Sequence, residues 1–334
     1  MKITIIGDGA MATVSAGLLA ANGHALRLWS PFPEAVAALR ANRENTRYLP
    51  GVAFPEDTAF TDDEADAFDG AQLVLAATPT QYIRATWGRL APHCPAGIPI
   101  VSVAKGIENG TLLRPTQVLR DVLGDGRPLA ALSGPNIARE LAEHLPATAT
   151  VAAENAPLAA CVQALFSTRT FRVYTNPDLV GVELGGAVKN VVAIAAGILD
   201  GLGAGDNAKA ALLTRGLVEI ARLGVALGAR RETFMGLSGL GDLVTTCVSP
   251  HGRNRTLGEA IGRGETMDAI LARTHSVVEG VATTRSVLAL ASRHKVDMPI
   301  TEAVHAVLFE AVAAAEAIDA LMTRRPKGED AEWA

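Results

Sequence analysis

Along the first 176 residues, short apolar runs alternate with longer stretches of helical character. Runs at 3–6, 25–29, 73–77, 98–103, 128–132, 147–152 and 170–174 are rich in Ile, Val, Leu and Ala. Each has the length and bounding turn residues of a buried strand. Strands alternating with helices predict an α/β domain, a doubly wound and mostly parallel sheet over residues 1–176. Beyond Asn176 the pattern changes and no convincing strand follows. Residues 177–200 read as one helix, with Asn176 as N-cap and Pro177 in the first helical position. Its length is about 36 Å at 1.5 Å per residue. Further helices are expected over about 206–227, capped by Asp206 and Asn207, and repeatedly from Arg255 to Met322. An all-helical domain is therefore expected over 177–323, with a polar tail at 324–334.

From Ala187 to Leu199 the long helix is apolar on every face apart from Lys189 and Asn190. A helix apolar all round is buried. A lysine inside it requires a partner, a ligand or a cavity, since an unpaired buried charge is too costly. The alternative is a side chain that snorkels to water. Gly185 and Gly186, one turn earlier, remove bulk beside it and allow close approach to the backbone.

Several turns carry binding chemistry. Gly7-Asp-Gly-Ala-Met-Ala12 lies between the first strand and a small-residue helix, in the G-x-G-x-x-A form of a Rossmann-like dinucleotide site. Gly7 permits the tight turn, Gly9 lets a pyrophosphate reach the backbone, and Ala12 lets helix and strand pack closely. Where a cofactor-selecting acid is expected after the second strand, Ser30 stands instead. With no carboxylate there to repel a 2′-phosphate, NADH and NADPH are both expected to serve, within about tenfold of each other. Arg40, Arg43 and Arg47 follow, either as 2′-phosphate ligands or as a solvated helix face. Lys105 lies at the carboxyl end of a strand, where open α/β sheets bind ligands, and Ser133-Gly-Pro-Asn136 makes a second such turn. Asp242, in Gly239-Leu-Gly-Asp242, is either a helix cap or a site residue. Arg253 and Asn254, placed just before a helix from about Thr256, fit an anion. A cofactor crevice, two lysines and an arginine–asparagine anion site together suggest a phosphorylated substrate beside a nicotinamide. If Lys105 and Arg253 lie close to Lys189, they lower its pKa and suit it to pass a proton to a carbonyl oxygen.

Composition narrows the function classes. The 334 residues exceed one ordinary core. A net charge of -5 without a long basic block argues against nucleic acid and anionic membrane. Aromatic content of only 4% favours α/β or helical architecture over a β-sandwich. Cys94, Cys161 and Cys247 lack metal-type spacing and read as small buried residues in a reducing compartment. The N-terminus enters a strand at once and lacks a signal-peptide cleavage site, and no segment has about 20 uninterrupted apolar residues. A cytoplasmic protein acting on a small molecule, with no metal, is expected.

The ordered set of motifs resembles the NAD(P)-dependent glycerol-3-phosphate dehydrogenases of the bacterial type. The resemblance runs from residue 2 to about 322. It is carried by Gly7-x-Gly-x-x-Ala12, Tyr48-Leu-Pro-Gly51, Val101-Ser-Val-Ala-Lys-Gly-Ile107, Ser133-Gly-Pro-Asn-Ile-Ala138, Val182-Glu-Leu-Gly-Gly-Ala-Val-Lys-Asn190, Gly205-Asp-Asn-Ala-Lys-Ala-Ala211, Gly239-Leu-Gly-Asp242 and Arg253-Asn-Arg255. It implies reversible NAD(P)H-dependent reduction of dihydroxyacetone phosphate to sn-glycerol 3-phosphate, for phospholipid synthesis. Catalytic residues would be Lys189 as proton donor, Lys105 and Asp242. Cofactor contacts would come from Gly7, Gly9, Ala10, Met11, Ala12, Ser30, Lys105, Ala138, Arg253, Val277 and Glu279. Substrate contacts would come from Lys105, Gly134, Asn136, Lys189, Asp242, Thr246, Gly252, Arg253 and Asn254.

Departures from the usual bacterial pattern fall at Ala10 and Met11 (serine and an aromatic), Pro31 (often arginine), and Asn136 and Gly252 (serines). The last two resemble the eukaryotic branch of the family. Two other readings share the Gly-Gly-x-x-Lys helix or the scaffold: a 3-hydroxyacid or 6-phosphogluconate dehydrogenase, and a non-catalytic nucleotide sensor. The first lacks the Arg253-Asn254 motif, and the second is expected to have lost Lys189.

Overall fold

The computed structural model describes residues 1–274, 276–326 and 328–329; the expected tail at 324–334 lies partly outside them. Its contacts divide the chain into two units, residues 1–104 with 114–182, and residues 105–113 with the described residues from 183 onward. The first unit holds one eight-stranded sheet: β1 (Lys2–Ile6), β2 (Ala25–Trp29), β3 (Ala59–Thr61), β4 (Leu73–Ala76), β5 (Ile100–Ser102), β6 (Leu129–Ser133), β7 (Ala147–Ala153) and β8 (Phe171–Asn176). The order is β3-β2-β1-β4-β5-β6-β7-β8, and all neighbours are parallel except β6 and β7. Strands such as β4 and β6 are buried at every position, which explains their unbroken apolar runs. The strand order reverses between β1 and β4, the switch point where such sheets bind ligands.

Two segments depart from the sequence reading. β3 was not foreseen, because Ala-Phe-Thr is too short to show a period. It pairs with β2, and the guanidinium groups of Arg40 and Arg43 bind the carbonyls of Phe60, Thr58, Pro55 and Glu56 around it. The acidic stretch 62–69, which carries no apolar run, also holds an element. Asp63 caps a short helix, Glu64–Phe68, by accepting from the Asp66 amide at 2.7 Å, and Ala67 and Phe68 are buried.

The long helix spans Leu179–Leu202, two residues later than expected. Asn176 ends β8, paired with Ala152, and its Oδ1 accepts from the Asp178 amide at 2.8 Å, ahead of the helix. Asp178 caps instead, its carboxylate accepting from the Gly181 amide at 2.9 Å. The division between the units falls within this helix, at 182/183 rather than 176/177. Its first turn belongs to the sheet unit, since Leu179 and Val182 bury against Ala131 and Ala152.

Among its described residues the second unit holds helices and no strand. The helix after residue 205 spans Asp206–Ala226 with Gly205 as N-cap, so Asp206 sits in its first turn instead of capping it. Leu179–Leu202 is long and apolar enough to cross a membrane, but 94% of its most apolar window is buried in the protein, as a core helix requires. It crosses the helix Arg253–Gly262 at backbone contact. A Cβ on Gly197 would overlap the Arg255 carbonyl oxygen, and a Cβ on Gly258 would overlap that of Ile194. Asp200 clamps the same crossing, paired with Arg255 at 2.6 Å and with Lys209.

This crossing sets a stability test. Gly258→Val should destabilise by at least about 2 kcal/mol, because backbone on the facing helix cannot yield as a side chain would. That corresponds to a melting temperature lower by about 4 °C or more. Gly17→Ala, on an exposed helical position with open space around it, should cause no loss. Equal melting of both variants would contradict the backbone-contact crossing.

Candidate active site

Within the helical unit, one buried carboxylate gathers the chemistry. Lys189 lies on the central helix one turn beyond Gly185. A Cβ on Gly185 would stand 2.5 Å from the Ser238 carbonyl oxygen. The close approach expected at the glycine pair is made at Gly185 by the chain itself, through the Ser238 carbonyl. That carbonyl belongs to a wide helical turn, Leu237–Gly241, which runs into the helix Asp242–Val248. Such i→i+5 turns recur at functional sites. This one brings Asp242 against Lys189.

Asp242 is 2% exposed and Lys189 5%. The Lys189 ammonium lies 2.5 Å from Asp242 Oδ1, and the Lys105 ammonium 2.7 Å from Oδ2. Thr246, one turn beyond Asp242, accepts a further hydrogen bond from Lys189 Nζ. Asp242 is therefore more than a helix cap. Burial pushes the Lys189 pKa down to about 8; the Lys105 charge acts in the same direction and Asp242 opposes both. The lysine is mostly protonated at neutral pH, yet able to give up its proton within the physiological range.

Asn190 and Asn254 brace this cluster. Asn190 Nδ2 donates to the Lys105 carbonyl at 3.1 Å, Asn254 Nδ2 donates to Asn190 Oδ1 at 2.9 Å, and the Gly280 amide donates to Asn254 Oδ1 at 2.9 Å. Ser286 holds the segment after Lys105 by donating to the Ile107 carbonyl at 2.9 Å. Neither Asn190 nor Ser286 was among the expected site residues. Asn190 had a signal, as the second polar residue in an apolar helix; Ser286 had none.

The arginine–asparagine pair sits differently from expectation. The helix begins at Arg253, with Gly252 as N-cap, so both residues are in its first turn. Asn254 is buried and tied to the brace. Arg253 is exposed at the helix N-terminus, a position that favours anions, and one of its guanidinium nitrogens donates to the Val277 carbonyl at 2.8 Å. Glu279 opens the helix Glu279–His294 two residues later.

In the sheet unit, Gly7 follows β1 with φ +121°, and a Cβ there would lie 2.8 Å from the Ala77 carbonyl oxygen. Gly9 caps the helix Ala10–Ala21 with open space where a Cβ would be. Ala10 and Met11 are half-buried and Ala12 is fully buried in the core. First-turn N–H groups of a helix lack partners inside it. This cradle fits a dinucleotide pyrophosphate. Ser30 follows β2, buried. Gly134, with φ +141°, and Asn136 form the turn after β6, ahead of the helix Ala138–Ala142. No group of His, Cys, Asp and Glu able to hold a metal occurs among the described residues.

The lysine pair yields a titration test. With carbon-13-labelled lysine, one resonance should titrate near pH 8 and vanish in Lys189→Met. Asp242→Asn should move that titration to lower pH, because it removes the charge that favours the ammonium. An unmoved titration would show that Asp242 does not govern Lys189.

Comparison with known proteins identifies the family. Residues 2–159 match the family model for the NAD-dependent glycerol-3-phosphate dehydrogenase N-terminus, and residues 178–319 that for its C-terminus. Glycerol-3-phosphate dehydrogenase [NAD(P)+] of Citrifermentans bemidjiense is 48% identical over 330 residues, 98% of each chain. The Thermobifida fusca protein of that name is 48% identical over 331 residues, again 98% of each. A crystal structure of glycerol-3-phosphate dehydrogenase from Coxiella burnetii superposes with a TM-score of 0.93 at 38% identity, covering 97% of this chain and 99% of that one. With both family halves matched in order and relatives aligned over nearly their full length, the chain belongs to the NAD-dependent glycerol-3-phosphate dehydrogenase family.

Proposed function

We propose that this protein reduces dihydroxyacetone phosphate to sn-glycerol 3-phosphate, reversibly, with Lys189 as the proton donor. The observation that carries the reading is a lysine buried in an apolar helix and paired with Asp242, its pKa pushed down to about 8 by burial. Bound NAD(P)H supplies the hydride, which goes to C2 of the ketone as the nicotinamide is oxidised. The C2 oxygen takes one proton from the Lys189 ammonium, leaving a neutral amine that recovers its proton from solvent. In the reverse direction the neutral amine accepts the proton. Asp242 holds Lys189 and Lys105 on its two oxygens, which fixes both ammonium groups without leaving a net negative site. Lys105 then offers a second positive charge to the anionic substrate and the developing alkoxide. Arg253, exposed at a helix N-terminus, binds the substrate phosphate.

The product suits phospholipid synthesis. The free cysteines fit the reducing cytoplasm, and a homodimer is the proposed assembly.

Lys189→Met retains length and apolar fit and removes the proton. It should lower kcat by at least about 10²-fold in single-turnover reduction of dihydroxyacetone phosphate, while NADH still binds. A folded, NADH-binding variant keeping more than about a tenth of wild-type turnover would remove Lys189 as general acid and leave Lys105 in its place.

Arg253→Ala should lower kcat/KM for dihydroxyacetone phosphate by about thirtyfold or more, about 2 kcal/mol, mainly through KM. Unchanged constants would place the phosphate elsewhere. Parallel assays with 3-hydroxyacids and 6-phosphogluconate should show no comparable turnover.

A further inference from the structure

The end of β2 is not free of negative charge. Ser30 stands one residue past this strand, where a selecting acid commonly meets the adenosine ribose. Its hydroxyl donates to the Asp8 carboxylate at 2.9 Å and is reached by the Phe32 amide at 3.3 Å. Asp8 comes from the other side, out of the turn Gly7–Gly9 after β1. Its carbonyl is fixed by Asn45 Nδ2 at 2.7 Å, the same nitrogen that donates to Thr13 Oγ1 at 2.8 Å. Both ends of Asp8 are thus tethered, and the carboxylate lies one hydrogen bond from the position a strand-end acid would hold. On the far side, Thr61 of β3 accepts from the Ser30 amide at 3.1 Å, and the chain leaves β3 into Asp62 and Asp63.

The nearby arginines do not offset this charge by direct pairing. Arg40 binds the Phe60 carbonyl, and Arg43 binds the carbonyls of Pro55, Glu56 and Thr58 and lies over the Phe60 ring at 4.9 Å. The guanidinium of Arg47 lies over the Tyr48 ring at 5.1 Å. Ser30 holds the position after β2, and the acid beside it comes from the turn after β1.

We infer that Asp8 is the cofactor-selecting carboxylate of this chain, held by Ser30 to accept from the adenosine ribose hydroxyls and to repel a 2′-phosphate. NADH is then preferred over NADPH by more than the tenfold that an uncharged Ser30 suggested. The inference rests on the nicotinamide cofactor and not on the substrate, so binding without substrate tests it.

The experiment titrates the purified protein with NADH and NADPH by fluorescence, and with AMP and 2′,5′-ADP, which differ only in the 2′-phosphate, by calorimetry. Asp8→Asn keeps the shape and an oxygen to accept from Ser30 while removing the charge. It should tighten NADPH and 2′,5′-ADP by at least about tenfold, with NADH and AMP weakened by no more than about tenfold. Asp8→Ala should shift the ratio in the same direction. A purely structural tie between the turn and β2 would weaken all four ligands together and lower the melting temperature, which would overturn the inference. So would a wild type with equal affinity for AMP and 2′,5′-ADP, or variants with an unaltered ratio. If the wild type bound none of the four ligands, the cofactor assignment itself would fall, and this inference with it.

Discussion

The helical unit depends on one carboxylate shared between two ammonium groups. Taking an ion out of water costs several kcal/mol even after relaxation, and a pair repays this only with close geometry and further hydrogen bonds. Asp242 meets that demand with one oxygen for each lysine, and Thr246 takes another Lys189 hydrogen. Asp242 thus meets two positive charges. The second, on Lys105, adds to burial in lowering the Lys189 pKa. A lone Asp–Lys pair would hold the lysine more firmly charged. The same feature that strains the cluster therefore suits it to the proton transfer proposed for Lys189.

Glycines make this geometry possible by bringing backbone to backbone. Gly185 admits the Ser238 carbonyl, and the wide turn that follows presents Asp242 to a lysine one helical turn away. Gly197 and Gly258 bring the helix Arg253–Gly262 against the central helix, near enough for Asn254 to reach Asn190. Asn190 in turn holds the Lys105 carbonyl, so the second lysine is positioned through the first lysine's neighbour. A small backbone shift at any of these contacts would move an ammonium group relative to the carboxylate. The geometry of this cluster is a property of helix packing as much as of the polar residues themselves.

Much of this could be read from the sequence where the signal was strong and local. The central strands β4, β5 and β6 are buried at every position, so apolar runs marked them; β3, three residues long and held by arginines from elsewhere, left no such mark. The central helix announced a buried lysine because nothing else in its apolar stretch was charged. Its partner was less legible. Asp242 lies 53 residues away, and only the Gly185 contact reveals why the chain returns there. Local cap chemistry misled at three helix starts, since Asn176 was claimed by β8, Gly205 preceded Asp206, and Arg253 began its helix earlier than its sequence suggested.

Cofactor choice shows the same limit in its sharpest form. A motif assigns a role to a position, whereas electrostatic repulsion acts at a place in space, whichever residue brings the charge there. Ser30 occupies the expected position and is neutral; Asp8 occupies the place and is not. Because the two are linked by a hydrogen bond, substituting the serine with an acid would set two carboxylates against each other. A neutral donor at the end of β2 is thus what an aspartate in the glycine turn requires. The pair is one selecting device divided between two loops, and a reading that scores each loop alone assigns it to neither.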